Sequence, residues 1–249
     1  MNKESNIYTF TFAIIMVLVI GVSLAVTSEV LQPRKKQNKN DKKMMDILSA
    51  INIDAGRENA QQEYDKYIYS SIIIDNKGGI MEGDAFQIDV LFQYRDKTLL
   101  PEERRYPLFK ANKDGSEYFI VPMVGSGLWG PIWGFIALEN DYNTIYGAAF
   151  DHKAETPGLG AEINTDMFEN PFKGKKIKNN VGKFVSVKVK KGGAEKGNPH
   201  EVDGITGGTI TSDGVSDMLE NTLQVYDNYF SKFNNVNDTI VQVINSDNL

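Results

Sequence analysis

Three rhythms of hydrophobic and polar residues follow one another along the chain. From Ile7 to Val26 the residues read IYTFTFAIIMVLVIGVSLAV, with no charge inside the run. At the rise of an α-helix this run is about 30 Å long, enough to cross the hydrocarbon layer of a bilayer. A stretch that is apolar all round and this long rarely serves as the core helix of a soluble domain. The competing reading is a cleaved signal peptide, for which Ser23-Leu24-Ala25 offers suitable small residues. Against it, the basic start is only Lys3 beside Glu4, and the apolar run exceeds the usual signal-peptide core. A retained single span is the preferred reading.

A polar, charged linker carrying Pro33 follows, from Gln32 to Asp41. Apolar residues then return at helical spacing, with Met44, Ile47, Leu48 and Ile51 on one face. A second helix is predicted from about Asn59 to Ile68, and Ser70 to Ile74 reads as a short strand closed by the turn residues Asn76-Lys77-Gly78-Gly79. The middle of the chain is strand-rich: Tyr118–Val124, Ile132–Leu138 and Thr144–Asp151 are aromatic and β-branched. Phe184–Lys190 alternates with period two. Short loops between neighbouring strands favour antiparallel pairing. A last helix follows Ser212, with Val215, Met218, Leu219, Leu223 and Tyr226 in one stripe. The pattern predicts an N-terminal transmembrane helix (1–31), a charged linker (32–43) and an α+β domain (44–249) with a largely antiparallel sheet and flanking helices.

Composition narrows the chemistry. Lys plus Arg number 27 against 33 Asp plus Glu, a net charge of −6, which argues against nucleic acid as a partner. Cysteine is absent, so disulfides, thiol nucleophiles, thiolate zinc sites and iron–sulfur ligation are excluded together. Only His152 and His200 are available as imidazole ligands, too few for a histidine-rich metal centre. Redox or group-transfer chemistry would have to come from a borrowed cofactor. The basic residues Arg34, Lys35, Lys36, Lys39, Lys42 and Lys43 follow the span, and by charge count alone they place the large domain in the cytoplasm.

Three segments carry candidate chemistry. Gly125-Ser126-Gly127-Leu128-Trp129-Gly130 matches the dinucleotide fingerprint in letters, but that fingerprint needs a helix starting at its glycines. Pro131 and a strand-like run follow instead, so the glycines mark either a tight bend between strands or a close approach of a flat ring to the backbone. Trp129 and Trp133 read on physics alone as core or edge packing. His152 to Gly160 (HKAETPGLG) leaves a strand into a Pro- and Gly-punctuated loop, for which the plain reading is a connection with Glu155 solvated. Asp203 to Ser212 (DGITGGTITS) sets glycines and hydroxyls ahead of the last helix, where Thr211 or Ser212 is the natural N-cap. Backbone N–H groups at such a helix start can receive a phosphate.

Taken together, these residues carry a resemblance. Asp203-Gly-Ile-Thr-Gly-Gly-Thr209 resembles the flavinylation motif Asp-x-x-(Ser/Thr)-Gly-Ala-Thr of NqrC, a subunit of the sodium-translocating NADH:quinone reductase, and of its relative RnfG, a subunit of the Rnf complex. Glu155-Thr-Pro-Gly-Leu-Gly160 resembles a second motif of both, and Gly125–Leu138 is similar to NqrC in particular. The resemblance, with the single span, covers essentially the whole chain. It implies FMN joined covalently through its phosphate to Thr209, with Thr206, Gly207, Gly208 and Thr211 about the phosphate. Trp129, Glu155, Leu159 and Gly160 are the expected surroundings of the ring. It further implies an electron-carrying subunit without an NADH site of its own, acting in NADH-to-quinone transfer coupled to sodium export. The implied partners are the other subunits of the complex, membrane lipid and a Mg²⁺-dependent flavin transferase that uses FAD. The flavin domain is implied to lie outside the cytoplasm, in the periplasm of Gram-negative bacteria. A long translocated domain is exempt from the charge rule. Two alternatives stand beside this reading: RnfG, with ferredoxin as donor, and a membrane-tethered binding module without flavin. Gly208 occupies the position where the motif usually has alanine.

Overall fold

The computed structural model describes the backbone of residues 6–246 and the side chains of residues 6–232. Lys3 and Glu4, which bear on the signal-peptide reading, lie outside the described residues. The chain forms two compact units, residues 1–43 and residues 44–249.

Helix α1 runs from Asn6 to Ala50. It is the one described helix long and apolar enough to cross a membrane, and its large apolar side chains between Ile7 and Leu31 are exposed. The segment read from sequence as a linker is helical and continues through Pro33. Proline removes one intrahelical hydrogen bond, but the Lys and Gln residues around it are strong helix formers. One helical turn further on, Gln37 Nε2 donates to Asp41 Oδ1 at 2.7 Å, an i,i+4 pair that supports the helix.

In the second unit, β1 (Ile68–Ile74), β2 (Ile80–Met81), β3 (Tyr106–Lys113), β4 (Ser116–Ser126), β5 (Pro131–Leu138) and β6 (Ile145–His152) form a sheet in the order β2-β1-β3-β4-β5-β6. Every neighbouring pair is antiparallel. Strand β3, which the periodicity does not single out, is joined to β4 by Asp114-Gly115, both at positive φ (54° and 79°). Asp-Gly is a strong two-residue hairpin signal, because this turn needs left-handed backbone at both central positions.

The period-two alternation along these strands sorts side chains to opposite faces. Ile73, Phe109, Ile120 and Phe135 face one core with Ile47, Leu48 and Ile51 from the end of α1, helped by α2 (Ala60–Tyr67). The α1 terminus comes close because Gly147 has no side chain: a Cβ there would sit 2.4 Å from the Ala50 carbonyl oxygen. Lys113 Nζ then donates to the carbonyls of Ile51 (2.9 Å) and Asn52 (3.3 Å), a cation placed just beyond the helix end.

On the other face Leu108, Val121, Met123, Ile132 and Ile136 meet α5 (Thr209–Ser246), whose stripe of Val215, Met218, Leu219, Leu223 and Tyr226 is buried as its spacing predicts. The Tyr226 hydroxyl, buried among these residues, donates to the Pro107 carbonyl at 2.6 Å.

Two expectations change. Of the predicted strand Phe184–Lys190 only β7 (Lys188–Lys190) pairs regularly, and it pairs parallel to β8 (Glu201–Asp203) in a separate two-stranded sheet. The start is interrupted at Ser186, where φ is 62° and the N–H groups of Val185 and Ser186 both donate to the Ile177 carbonyl. That doubled contact is a bulge, which ends regular pairing.

A short helix, α4 (Asp166–Glu169), covers the outer edge of β6, where the Glu169 carboxylate accepts from the Phe150 N–H at 2.6 Å. Burial pushes the Glu169 carboxyl up to about 7, against the pull of that hydrogen bond, and Asp166, Asp151 and Asp46 add repulsion. A folded-state value above the ordinary 4.5 means that the folded protein binds more protons than the unfolded chain in between. Stability from this group is therefore full below about pH 4.5 and is lost as pH rises through about 7. Thermal melting from pH 5 to 8 should show a decline that Glu169→Gln flattens; an identical pH profile in the variant would remove Glu169 as its source.

Candidate functional site

Three loops meet at the start of α5. The first is the β4–β5 hairpin, where the Gly127 N–H donates to the Gly130 carbonyl at 2.7 Å and Pro131 opens β5. The fingerprint-like glycines are thus a tight bend between strands, and no helix begins there. Leu128 and Trp129 at the tip are exposed, so Trp129, 66% accessible, is not core packing.

The second loop leaves β6. His152 Nδ1 accepts the Glu155 N–H at 3.2 Å, fixing the exit turn. Both Leu159 and Ala161 donate their N–H to the Thr156 carbonyl at 3.1 Å, and Gly158 takes φ 75°, so the chain doubles back and returns Gly160 towards Glu155.

The third follows β8. The Gly204 N–H donates to the Lys190 carbonyl at 2.9 Å, and the Asp203 carboxylate accepts from the Ala194 N–H at 2.6 Å. Gly207, at φ 79°, turns the chain into α5, which starts at Thr209. The helix therefore begins before both residues expected to cap it. The Ser212 N–H is already bonded to the Gly208 carbonyl, and the Ser212 hydroxyl reaches back to accept from the Ile205 N–H at 3.1 Å.

What joins the loops is Glu155, 5% exposed rather than solvated. One carboxylate oxygen accepts from the Trp129 N–H at 2.8 Å, in the first loop; the other accepts from the Thr211 hydroxyl at 2.6 Å, at the start of α5. Burying a carboxylate is costly unless charged hydrogen bonds replace water, and each such bond contributes about 1.5–3 kcal/mol. The positive end of α5 favours the same charge.

The glycines make room for it: a Cβ on Gly127 would lie 2.6 Å from Glu155 Oε1, and one on Gly160 would lie 2.5 Å from both Glu155 Oε2 and the Thr211 hydroxyl. At Gly208, by contrast, the nearest atoms to an added Cβ would be Ile205 Cγ2 at 3.0 Å, Ile205 Cβ at 3.2 Å and the Gly160 nitrogen at 3.3 Å. A side-chain methyl can yield the few tenths of an ångström required.

All nine residues singled out from the motifs fall in these three loops or the first turn of α5, in two layers. Glu155, Gly160, Gly208 and Thr211 are buried beneath. Thr206, Gly207, Leu159 and Trp129 are exposed above, with Thr209 half-buried between the layers. Leu159 lies over the turn, since a Cβ on Gly207 would come within 2.6 Å of its Cδ2. Ile210 is also exposed and has no sequence signal beyond standing next to Thr209. Nor does any motif point to Gly214, whose lack of a side chain lets α5 touch the Ser126 carbonyl.

The arrangement offers a half-buried hydroxyl at a helix start, a glycine turn, and N–H groups that lack intrahelical partners by position. Apolar side chains stand open beside them. These fit a phosphorylated cofactor with a flat ring. The class is that of an FMN-binding domain, and residues 127–224 match the family of that description.

The relatives narrow it further. The chain is 30% identical over 233 residues to NqrC of the Na(+)-translocating NADH-quinone reductase of Vibrio alginolyticus, covering 88% of this chain and 91% of the relative. It is 31% identical, over the same shares, to the corresponding subunit from Vibrio anguillarum. The crystal structure of the same subunit from Parabacteroides distasonis superposes with a TM-score of 0.73 at 44% identity, covering 80% of this chain and 96% of that one. That of NqrC from Shewanella oneidensis gives 0.66 at 26% identity, over 78% and 97%. The chain belongs to the NqrC family of Na(+)-translocating NADH-quinone reductase subunits.

The geometry predicts an order of sensitivity. Gly160→Ala, which forces Glu155 and Thr211 apart, should cost about 1–3 kcal/mol in urea unfolding, and Gly208→Ala under about 1 kcal/mol. Equal losses at the two positions would show that the Glu155 contacts are not the constraint.

Proposed function

We propose that this chain is the subunit that holds FMN by a phosphoester to Thr209 and carries electrons within a sodium-translocating NADH:quinone reductase. The observation that carries the reading is the position of Thr209. Among the hydroxyls of the motif it stands half-buried at the first residue of a long helix, whereas Thr211 is buried and already committed to Glu155.

In the attachment step the Thr209 oxygen forms a bond to the flavin-side phosphorus of FAD. The bond between the two phosphates breaks, AMP leaves, and the hydroxyl proton passes to a base of the transferase. In the product, N–H groups at the start of α5 and the turn at Gly207 receive the phosphate, with Thr206 beside them. The single negative charge of a phosphodiester limits its repulsion with Asp213, which is exposed one turn on. Leu159 and Trp129 would shield the bound ring from water, and Glu155 holds the Trp129 loop and α5 at fixed spacing. Bound FMN supplies the redox chemistry; the residues of this chain orient it and set its surroundings. NqrC is favoured over RnfG because the relatives above are NqrC proteins.

Co-expressed with the transferase, the wild-type chain should retain flavin fluorescence after denaturing electrophoresis and carry the mass of one FMN. Thr209→Val should abolish both. Thr211→Val should keep the label while lowering stability, because it leaves a buried carboxylate oxygen unpaired. A label that survives Thr209→Val would move the attachment elsewhere.

In this reading the flavin domain lies outside the cytoplasm, against the positive charge that follows the span. Charge governs short loops, and a domain of some two hundred residues after the span lies beyond the rule's reach. Protease added to intact spheroplasts should remove the domain; protection until the membrane is opened would reverse the topology.

A further inference from the structure

Beside the β4–β5 hairpin, a cleft of about 450 Å³ opens between the C-terminal half of β4, the flank of α5 and the segment around α3 (Val90–Arg95). Its wall includes Arg104 and Arg105. The Arg104 Nε is buried and has no hydrogen-bond partner among the described residues. Arg105 is held through its backbone N–H, which donates to Gln93 Oε1 at 2.7 Å, and its guanidinium is exposed at the rim. A buried donor without a partner is rare and calls for a missing acceptor, and a guanidinium fork suits a carboxylate or phosphate.

The rest of the surroundings selects between these anions. Asp217, on α5, lines the cleft opposite the arginines, and Glu102 and Glu103 stand close by in sequence. They disfavour a free multivalent anion more than a single carboxylate on an otherwise neutral carrier. Gln93 and Arg105 also line a second, adjoining hollow floored by Met81 and Ile88. Along it Phe92 is 64% exposed, with Tyr94 and Leu100 exposed nearby. Large apolar side chains beside an arginine with one unpaired donor are the composition of an interface centre.

We propose that this cleft and the hollow beside it form a docking surface for another subunit of the complex. The occupant would be a segment carrying one Asp or Glu, for the Arg104–Arg105 wall, flanked by apolar residues that cover Phe92 and Leu100. Such a segment gives the Arg104–Arg105 wall a carboxylate partner and removes the exposed apolar surface in one contact. The proposal rests on the chain's place in the reductase but not on where its flavin is attached.

The test uses the full chain in its assembled complex, with the photoreactive residue p-benzoylphenylalanine replacing Phe92 in one version and the exposed Val181 in another. The Phe92 probe should give an adduct to a second subunit, mapped by mass spectrometry to a segment with a carboxylate between apolar residues. Arg104→Gln should lower the yield at least fivefold without changing the melting temperature of the unassembled chain. Arg104→Glu combined with an Asp/Glu→Arg change at the mapped carboxylate should restore the yield.

Absence of an adduct at position 92, a yield unaffected by Arg104→Gln, or an adduct at position 181 equal in yield and equally sensitive would overturn the proposal. So would loss of the adduct on adding millimolar phosphate at constant ionic strength, which would mark a small-anion site instead.

Discussion

A buried carboxylate held by hydrogen bonds from two other parts of the chain is the constraint on which the rest of the site depends. Glu155 is stable in its position only because a backbone N–H from the β4–β5 hairpin and a hydroxyl from the first turn of α5 both point at it. Each partner comes from a different part of the chain, so satisfying the charge fixes the loops to one another. The glycines at 127 and 160 follow from the same demand, since any side chain there would occupy the carboxylate's space. Three motifs that look independent in sequence are thus parts of one contact.

The scaffold beneath serves that contact. An antiparallel sheet with a core on each face is rigid, and α5, seated along one of those faces from Val215 to Tyr226, aims its first turn at the ends of β4 and β6. Close approach at Gly125 and Gly214 brings the helix against β4, so the spacing between Thr209 and the hairpin tip is set by backbone contact rather than by long side chains. A flavin held at Thr209 would be positioned by a helix packed along the sheet, which suits a carrier whose transfer rates depend on fixed geometry.

The molecule also presents two distinct unsatisfied surfaces. One is the apolar rim above the α5 start; the other is the arginine-lined cleft beside α3, further along the same helix. A subunit that works inside a larger complex needs both a place for its cofactor and a place to be held.

Much of this was legible in the residues. The uncharged run before Val26, the alternation along β4, β5 and β6 and the stripe from Val215 to Tyr226 follow from local periodicity, which the solvent enforces wherever one face is buried. The motif around Thr209 and its companions located the candidate site in three loops, because glycine and proline at such spacings report backbone demands directly. Other features were beyond reach because they depend on partners distant in sequence. Glu155 looks like a surface loop residue until Thr211, fifty-six positions later, is brought to it. The helical start at Thr209 and the parallel pairing of β7 with β8 were likewise decided by what each segment packs or bonds against. Sequence alone determined which elements exist and which residues are candidates for the chemistry. The tertiary structure decided which of those residues stand open and which are consumed in holding the loops together, because burial and hydrogen bonding belong to pairs of segments and not to either one.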